Sequence, residues 1–104
     1  MITEITTEQE FNNSITNGVC IIDFYALWCK PCKNILSILI DIANTYSHIN
    51  ILKINVDNLF DLTKIYNVHS VPTLLFFKNG TLQKTLSTSI TKQMILNTIN
   101  NLLD

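Results

Sequence analysis

The sequence predicts an α/β fold in which strands and helices follow the order β-α-β-α-β-α-β-β-α. A nearly continuous apolar run of β-forming residues, Val19–Tyr25, is typical of a central strand covered on both faces. Apolar residues at helical spacing follow from Cys32 onward, and Asn79-Gly80 marks a hairpin turn between two further strands. Because right-handed crossovers make the first three strands parallel and the hairpin adds antiparallel ones, we expect a central mixed five-stranded sheet flanked by four helices. These elements form a single domain over residues 1–104.

The N-terminal elements are a short edge strand, Ile2–Ile5, and a first helix. Thr7 and Glu10 have the spacing of a capping box, which predicts that the helix begins there. We expect Gly18 to end this helix, since glycine favours the backbone conformation found after helix C-termini. The helix should carry two apolar side chains inward, those of Phe11 and Ile15.

A long and broadly buried helix is predicted after Cys32. Strand Ile49–Val56 follows, and Asp57 is placed to cap a short helix that ends near Tyr66. The apolar stripe of the long helix consists of Ile35, Leu36, Leu39, Ile42, Ala43 and Tyr46.

The C-terminal elements are the hairpin strands Thr73–Lys78 and Thr81–Leu86, and a last helix from about Thr91. That helix should bury Ile95, Ile99, Leu102 and Leu103. Four phenylalanines are expected in the core, namely Phe24, Phe60, Phe76 and Phe77.

Composition and charge narrow the functional classes. The chain has 104 residues and 47% hydrophobic content, which is enough for one core without a structural metal or a disulfide framework. Its formal net charge of −1 and its lack of a basic run disfavour nucleic acid and anionic membranes as partners. The N-terminus has no secretory pattern, and no apolar run approaches membrane-spanning length. We therefore expect a cytoplasmic monomer, with an organelle lumen after loss of a targeting peptide as the alternative.

The segment Trp28–Cys32, W-C-K-P-C, places two cysteines three positions apart. At the start of a helix such a pair can close a small disulfide, and the free N–H groups and helix dipole lower the pKa of the attacking cysteine. Pro31 fits the first helical position, where no intrahelical hydrogen bond is lost. The segment therefore predicts a redox switch.

The same cysteine spacing is also half of a zinc site, and this alternative needs further ligands. The other candidates are Cys20, His48 and His69, which form no second pair at the spacing of zinc ligands. This shortage of ligands disfavours zinc and an iron–sulfur cluster, so we expect no metal.

Three blocks of the sequence, Asp23–Lys33, Lys53–Asp57 and Val71–Gly80, resemble the thioredoxin family in their order and separation. The similarity covers essentially the whole chain and is far more specific than the cysteine pair alone. It implies the thioredoxin fold, with the cysteines at the C-terminal end of a central strand. It also implies a dithiol/disulfide oxidoreductase that reduces protein disulfides and is recharged by a thioredoxin reductase. No cofactor is implied beyond the redox-active Cys29–Cys32 disulfide.

The resemblance assigns separate roles to the cysteines. Cys29, expected to be the more exposed, would attack a client disulfide, and Cys32 would resolve the mixed disulfide. Two cysteines that merely pack are the alternative, but a proline-containing pair behind a strand is a known setting for a lowered thiol pKa. Cys20 lies within an apolar strand and is expected to be a small buried hydrophobe without a redox role.

Asp23 interrupts an otherwise apolar strand. A buried carboxylate is costly unless its pKa rises or it finds a partner, so a surface position on a half-exposed strand is the alternative. The resemblance makes Asp23 the buried acid beneath Cys32 that takes and returns a proton, with Lys53 on the neighbouring strand as its charge partner.

The resemblance also implies a docking surface for substrates. It places a cis peptide bond between Val71 and Pro72, opposite the cysteines, where the Val71 backbone can pair with an extended segment. An ordinary edge proline is the alternative. Trp28 would shield the disulfide and add apolar surface, and Lys30 and Pro31 belong to the same surface.

Five residues depart from the usual family pattern. Glycine is usual at Lys30 and Thr88 and frequent at Ser70. Proline is usual at Ser37, and tryptophan is common at Tyr25. None of these departures removes a group that the chemistry needs, so they leave partner choice and redox potential open.

Two other functional classes remain as alternatives. A disulfide oxidase or isomerase is disfavoured by the absence of a secretory pattern. A thioredoxin-fold interaction subunit is disfavoured because both cysteines, Asp23 and Val71-Pro72 are retained.

Overall fold

The computed structural model describes residues 2–103, so Met1 and Asp104, at the two ends of the predicted domain, lie outside the described residues. It contains a five-stranded sheet in the order β1-β3-β2-β4-β5. The predicted alternation of strands and helices is confirmed. The elements are β1 (Ile2–Glu4), α1 (Glu8–Ser14), β2 (Val19–Tyr25), α2 (Lys30–Thr45), β3 (Asn50–Asn55), α3 (Phe60–Ile65), β4 (Thr73–Lys78), β5 (Thr81–Leu86) and α4 (Lys92–Leu102).

Strand β2 is the centre of the sheet. It pairs with β3 in parallel and with β4 in antiparallel orientation, and β3 pairs in parallel with β1. Six of its seven residues are buried, as its continuous apolar run predicted. The mixed sheet is thus confirmed, with three parallel strands and a closing antiparallel hairpin.

Two apolar clusters lie on opposite faces of the sheet. Helices α2 and α4 cover one face and α1 and α3 the other, because successive side chains of a strand alternate between the faces. Ile21 belongs to the first cluster and Ile22 to the second. Asp23, two residues after Ile21, therefore points towards the α2 side.

Helix α1 begins as predicted and ends earlier than predicted. The Thr7 hydroxyl accepts from the Glu10 N–H at 3.1 Å and the Glu10 carboxylate accepts from the Thr7 N–H at 3.1 Å, which completes the capping box. The helix ends at Ser14, and Gly18 instead leads into β2 with a φ of +72°. The expectation that Gly18 terminates the helix was wrong, since the helix is already capped at Ile15. Gly18 is instead bound to the far hairpin, where the Asn79 N–H donates to its carbonyl and the Asn79 side-chain oxygen accepts from its N–H.

Two expectations about α3 were also wrong. Leu59 is its N-cap residue, and an apolar side chain cannot make a capping bond; Asp57 lies two residues earlier, and its carboxylate instead accepts from the Trp28 indole at 3.2 Å. Phe60 begins the helix with 67% of its surface exposed, whereas the core of this face is filled by Phe11, Leu62 and Phe77.

The other differences are small. Helix α2 begins at Lys30, so Pro31 is the second rather than the first helical residue. Strand β3 is one residue shorter at each end than predicted. Leu103 lies beyond α4 and is half-buried. Among residues 2–103, no helix combines the length and apolar character needed to cross a bilayer.

Candidate active site

Cys29 and Cys32 form a disulfide where β2 leads into α2. Cys29 is the N-cap residue of α2, and its Sγ accepts a hydrogen bond from the Cys32 N–H at 3.2 Å. Pro31 has no N–H to contribute and does not interrupt the helix because it lies in the first turn. The sulfur of Cys29 therefore occupies the position where a helix best stabilises negative charge.

Burial does not separate the two cysteines in this oxidised form. Cys29 is 4% exposed and Cys32 is 5% exposed, so the expectation that Cys29 is the more exposed is not met. Both pack with Ala26, and Val71 packs against the same cluster. The two cysteines differ in that Sγ of Cys29 accepts the hydrogen bond from the Cys32 N–H and lies at the N-terminus of α2. Both features favour a thiolate on Cys29.

Asp23 is buried, which excludes the alternative of a surface aspartate. Its side chain is 1% exposed, and within residues 2–103 neither carboxyl oxygen has a hydrogen-bond partner. Burial raises the pKa of Asp23 to about 7, while the Lys53 ammonium lowers it and the Glu4 carboxylate raises it. A carboxyl group with this pKa can gain and lose a proton near neutral pH.

A cavity of about 190 Å³ connects Asp23 with the cysteines. Its lining includes Cys29, Cys32, Asp23 and Lys53, together with Leu36 of α2. This volume can hold several water molecules, since one needs roughly 10–15 Å³ of such space. A proton could therefore pass between Asp23 and a cysteine through water.

Lys53 lies opposite Asp23 in the sheet but does not contact its carboxylate. Its Nζ is 3.9 Å from Oε1 of Glu4 and 4.3 Å from the ring centroid of Tyr25. The sequence identified the Lys53–Asp23 neighbourhood, which the register confirms. It missed Glu4, and Tyr25 was noted only as a departure; no sequence signal indicates that they meet.

The Val71-Pro72 bond is cis, as the resemblance implied. Val71, Pro72 and Pro31 line an open groove of about 510 Å³, together with Ser70 and Thr88. The two departures therefore place hydroxyl groups at this groove. Ser37, by contrast, lies on the exposed side of an uninterrupted α2.

Trp28, directly before Cys29, is 73% exposed. Its ring is held by the indole N–H bond to Asp57, and the neighbouring Leu27 is 78% exposed. Lys30 is also exposed. The side chains of Leu27 and Trp28 therefore form exposed apolar surface next to the disulfide.

Cys20 is fully buried and unpaired in the centre of β2. Burial raises the pKa of its thiol to about 12, so it is a poor nucleophile at neutral pH. Within the described part of the chain, Cys20, His48 and His69 form no cluster that could hold a metal ion.

A mixed sheet, a disulfide at the start of a helix and a buried acid beside it define a dithiol/disulfide exchange protein. The sequence model of the thioredoxin family matches residues 2–101, and the chain belongs to this family.

Curated relatives and solved structures agree with this assignment. The chain is 38% identical to thioredoxin of Chlamydia trachomatis over 77 residues, covering 74% of this chain and 76% of the relative. It is 35% identical to thioredoxin 1 of Plasmodium falciparum over 99 residues, covering 91% and 95%. Oxidised mitochondrial thioredoxin 3 of Saccharomyces cerevisiae superposes with a TM-score of 0.88 at 33% identity, covering 97% of this chain and 95% of that one.

The protein is thus a thioredoxin-like dithiol oxidoreductase with protein-disulfide reductase activity. In general, family membership implies disulfide-containing clients and a thioredoxin reductase as partners.

Proposed function

We propose that Cys29 is the nucleophile and Cys32 the resolving cysteine in the reduction of client disulfides. The Cys29 thiolate attacks one sulfur of the client, forming a mixed disulfide and releasing the first client thiolate, which takes a proton from water. Cys32 then loses its proton and attacks Sγ of Cys29. The Cys29–Cys32 disulfide forms, the second client thiolate leaves and is protonated, and two electrons have passed to the client.

The observation that supports this order is the hydrogen bond from the Cys32 N–H to Sγ of Cys29. In the reduced protein the same donor and the N-terminus of α2 would stabilise a thiolate on Cys29 and not on Cys32. Cys32 lies within the first turn of α2 and lines the cavity shared with Asp23.

Asp23 is the proton acceptor for Cys32 in this proposal. When ionised it takes the Cys32 proton through water in this cavity, and it later returns a proton during recharging. A pKa of about 7 suits both directions at neutral pH, and the Lys53 ammonium keeps it from rising further. These roles make Cys29, Cys32 and Asp23 the catalytic set, with Lys53 as the charge that tunes it.

We assign client docking to the surface around the disulfide. An extended segment would lie in the groove beside Pro31 and pair with the backbone of Val71 next to Pro72. Trp28 would contribute apolar contact, and Lys30 would contribute a positive charge beside Cys29.

Recharging by a thioredoxin reductase would supply two electrons and two protons to the Cys29–Cys32 disulfide. We further propose a cytoplasmic monomer without a bound cofactor, consistent with a net charge of −1 and the apolar content of a single core. These points rest on family membership and composition.

The test is limited alkylation of the reduced protein at neutral pH, followed by mass spectrometry. Cys29 should be labelled first, and Cys32→Ser should accumulate mixed disulfides that Cys29→Ser does not. Cys20→Ser is the matched control and should behave as the wild type. Labelling of Cys32 before Cys29, or trapping by Cys29→Ser, would reverse the assignment.

The reduction potential of the Cys29–Cys32 pair separates the reductase from the oxidase alternative. A value near that of thioredoxins, roughly −270 mV, fits the proposed reductase, whereas a value near about −120 mV would indicate an oxidase.

A further inference from the structure

Three charged side chains form a row across three neighbouring strands beside the active site. Glu4 of β1 is in register with Lys53 of β3, and Lys53 is in register with Asp23 of β2. Side chains at directly opposed positions of neighbouring strands lie on the same face of a sheet. Lys53 therefore stands between two carboxyl groups and could approach either of them.

The lysine is on the side of Glu4. Its Nζ is 3.9 Å from the Glu4 carboxylate, while both oxygens of Asp23 lack a hydrogen-bond partner within residues 2–103. Charge attraction alone does not explain why Lys53 lies beside Glu4. The carboxylate of Asp23 is buried and, once ionised, would attract an ammonium group more strongly than the exposed carboxylate of Glu4.

Tyr25 contacts both Glu4 and Lys53 and explains the position of the lysine. It lies two residues after Asp23 on β2 and so points to the same face. Its hydroxyl donates to Oε1 of Glu4 at 2.8 Å, and the Lys53 ammonium lies 4.3 Å from its ring centroid. One side chain thus fixes the carboxylate and also attracts the ammonium group by a cation–π contact.

We propose that Tyr25 and Glu4 are positioning residues that hold the Lys53 ammonium away from Asp23 and so keep the Asp23 carboxyl group free to exchange a proton with Cys32. A carboxylate in direct contact with an ammonium group stays ionised and is a weak base. The inference rests on the proposed role of Asp23 as a proton acceptor and extends it to residues on β1 and β2.

The other groups around Asp23 are consistent with this arrangement. The cavity that Asp23 lines is also lined by Cys29, by Cys32 and Lys33 of α2, and by Lys53 and Tyr25 of the sheet. The Glu4 charge raises the pKa of Asp23 and the Lys53 charge lowers it. Burial and the bond to Glu4 raise the pKa of Tyr25 to about 12, so its hydroxyl remains a donor throughout the pH range in which Asp23 titrates.

The decisive variant is Tyr25→Phe, which keeps the ring and changes no charge at neutral pH. In the oxidised protein, the pKa of Asp23 is followed by the NMR shift of its carboxyl carbon. Without the Tyr25 hydroxyl, the Glu4 carboxylate is no longer fixed beside Lys53, so the Lys53 ammonium should move towards Asp23 and lower this pKa by about half a pH unit or more. Tyr66→Phe is the matched control, because that ring packs against Phe11 and Phe77 in the other cluster, and it should leave the titration unchanged.

A double-mutant cycle shows whether the effect passes through the lysine. Lys53→Met alone should raise the pKa of Asp23, and adding Tyr25→Phe in that background should change it no further. An unchanged titration in Tyr25→Phe, or an equal shift with and without Lys53, overturns the proposal. If Tyr25→Phe fails to fold, Glu4→Gln retains an oxygen for the Tyr25 hydroxyl, and its Asp23 pKa should fall more in the wild-type than in the Lys53→Met background; equal falls would overturn the proposal.

A kinetic measurement separates this inference from the proposed function. The pH profile for reduction of a disulfide-bonded peptide should shift to lower pH in Tyr25→Phe together with the Asp23 titration. If Asp23→Asn leaves the rate and its pH profile unchanged, the proton role of Asp23 is wrong, whereas the titration cycle still decides whether Tyr25 positions Lys53.

Discussion

At the scale of single residues, the carboxyl group of Asp23 sets the pH behaviour of the protein. Its folded-state pKa of about 7 lies above the ordinary 3.8 because burial disfavours the charged form. The native protein therefore keeps a proton that the unfolded chain releases between these two values. The contribution of the protonated Asp23 to the free energy of unfolding is fully present below about pH 4. It is lost as the pH rises to about 7 and is absent at higher pH.

Replacement of this residue should consequently stabilise the protein at high pH. We expect Asp23→Ala to have the higher unfolding free energy near pH 8, by on the order of a few kcal/mol, and to lose most of this advantage near pH 4. Thermal unfolding at several pH values measures the difference, with Asp41→Ala on the exposed side of α2 as the control. A difference that does not vary with pH would contradict the buried, titrating carboxyl group.

Lys30 is a second residue whose charge matters, because it is exposed next to Cys29. A positive charge there stabilises the thiolate, which exists only in the reduced form, and so raises the reduction potential. Because solvent screens this charge, we expect a value only about 10–30 mV above the roughly −270 mV of thioredoxin.

Lys30→Gly should lower the potential again, measured by equilibration with glutathione. Lys30→Gln tests the charge without adding backbone freedom, and Lys84→Gln on the distant β5 serves as the control. If both Lys30 variants keep the wild-type potential, the lysine acts on partners and not on the disulfide.

At the scale of elements, the β4–β5 hairpin is tied to the start of β2. The Asn79 side chain accepts from the Gly18 N–H at 2.8 Å, and the Asn79 N–H donates to the Gly18 carbonyl at 3.0 Å. Asn79 and Gly80 have φ values of +50° and +85°, as a two-residue turn of this kind requires. The turn thus fixes the register of the hairpin and the entry into the central strand.

Gly80→Ala should lower the free energy of unfolding by about 1–2 kcal/mol, because an L-residue is strained at positive φ. Crowding is not the reason, since an added Cβ would approach no atom closer than 4.0 Å. Chemical denaturation measures the loss, and Gly80→Asn should recover part of it because asparagine tolerates this conformation. Equal losses for both variants would point to a cause other than backbone strain.

At the scale of the whole molecule, Cys20 reports on complete unfolding. It lies in the central strand with β3 on one side and β4 on the other, and it is fully buried. Exposing its sulfur requires the sheet to open together with the apolar cluster around Phe11 and Ile22.

In a Cys29→Ser, Cys32→Ser variant, a thiol reagent should therefore label Cys20 only as fast as the molecule unfolds globally. The labelling rate should increase with urea in proportion to the surface exposed on unfolding. Labelling that is fast and insensitive to urea would mean that the centre of the sheet opens locally.

Much of this fold could be predicted from sequence because its signals are local. The apolar run of β2, the capping box of α1 and the turn at Asn79-Gly80 each depend on residues close in the chain. Where a distant residue intervened, the local interpretation was wrong. The Asp57 carboxylate was expected to cap α3, but it accepts a hydrogen bond from the Trp28 indole, although the two residues are far apart in sequence.

The sequence by itself determined the order of the elements and the position of Cys29 and Cys32 at the start of a helix, because periodicity and spacing depend on neighbouring residues. Only the tertiary structure decided that Glu4 joins Lys53 and Asp23 in one row and that the lysine lies on the side of Glu4. The register between strands distant in sequence is set by burial of their side chains in a common core, and no local pattern contains it.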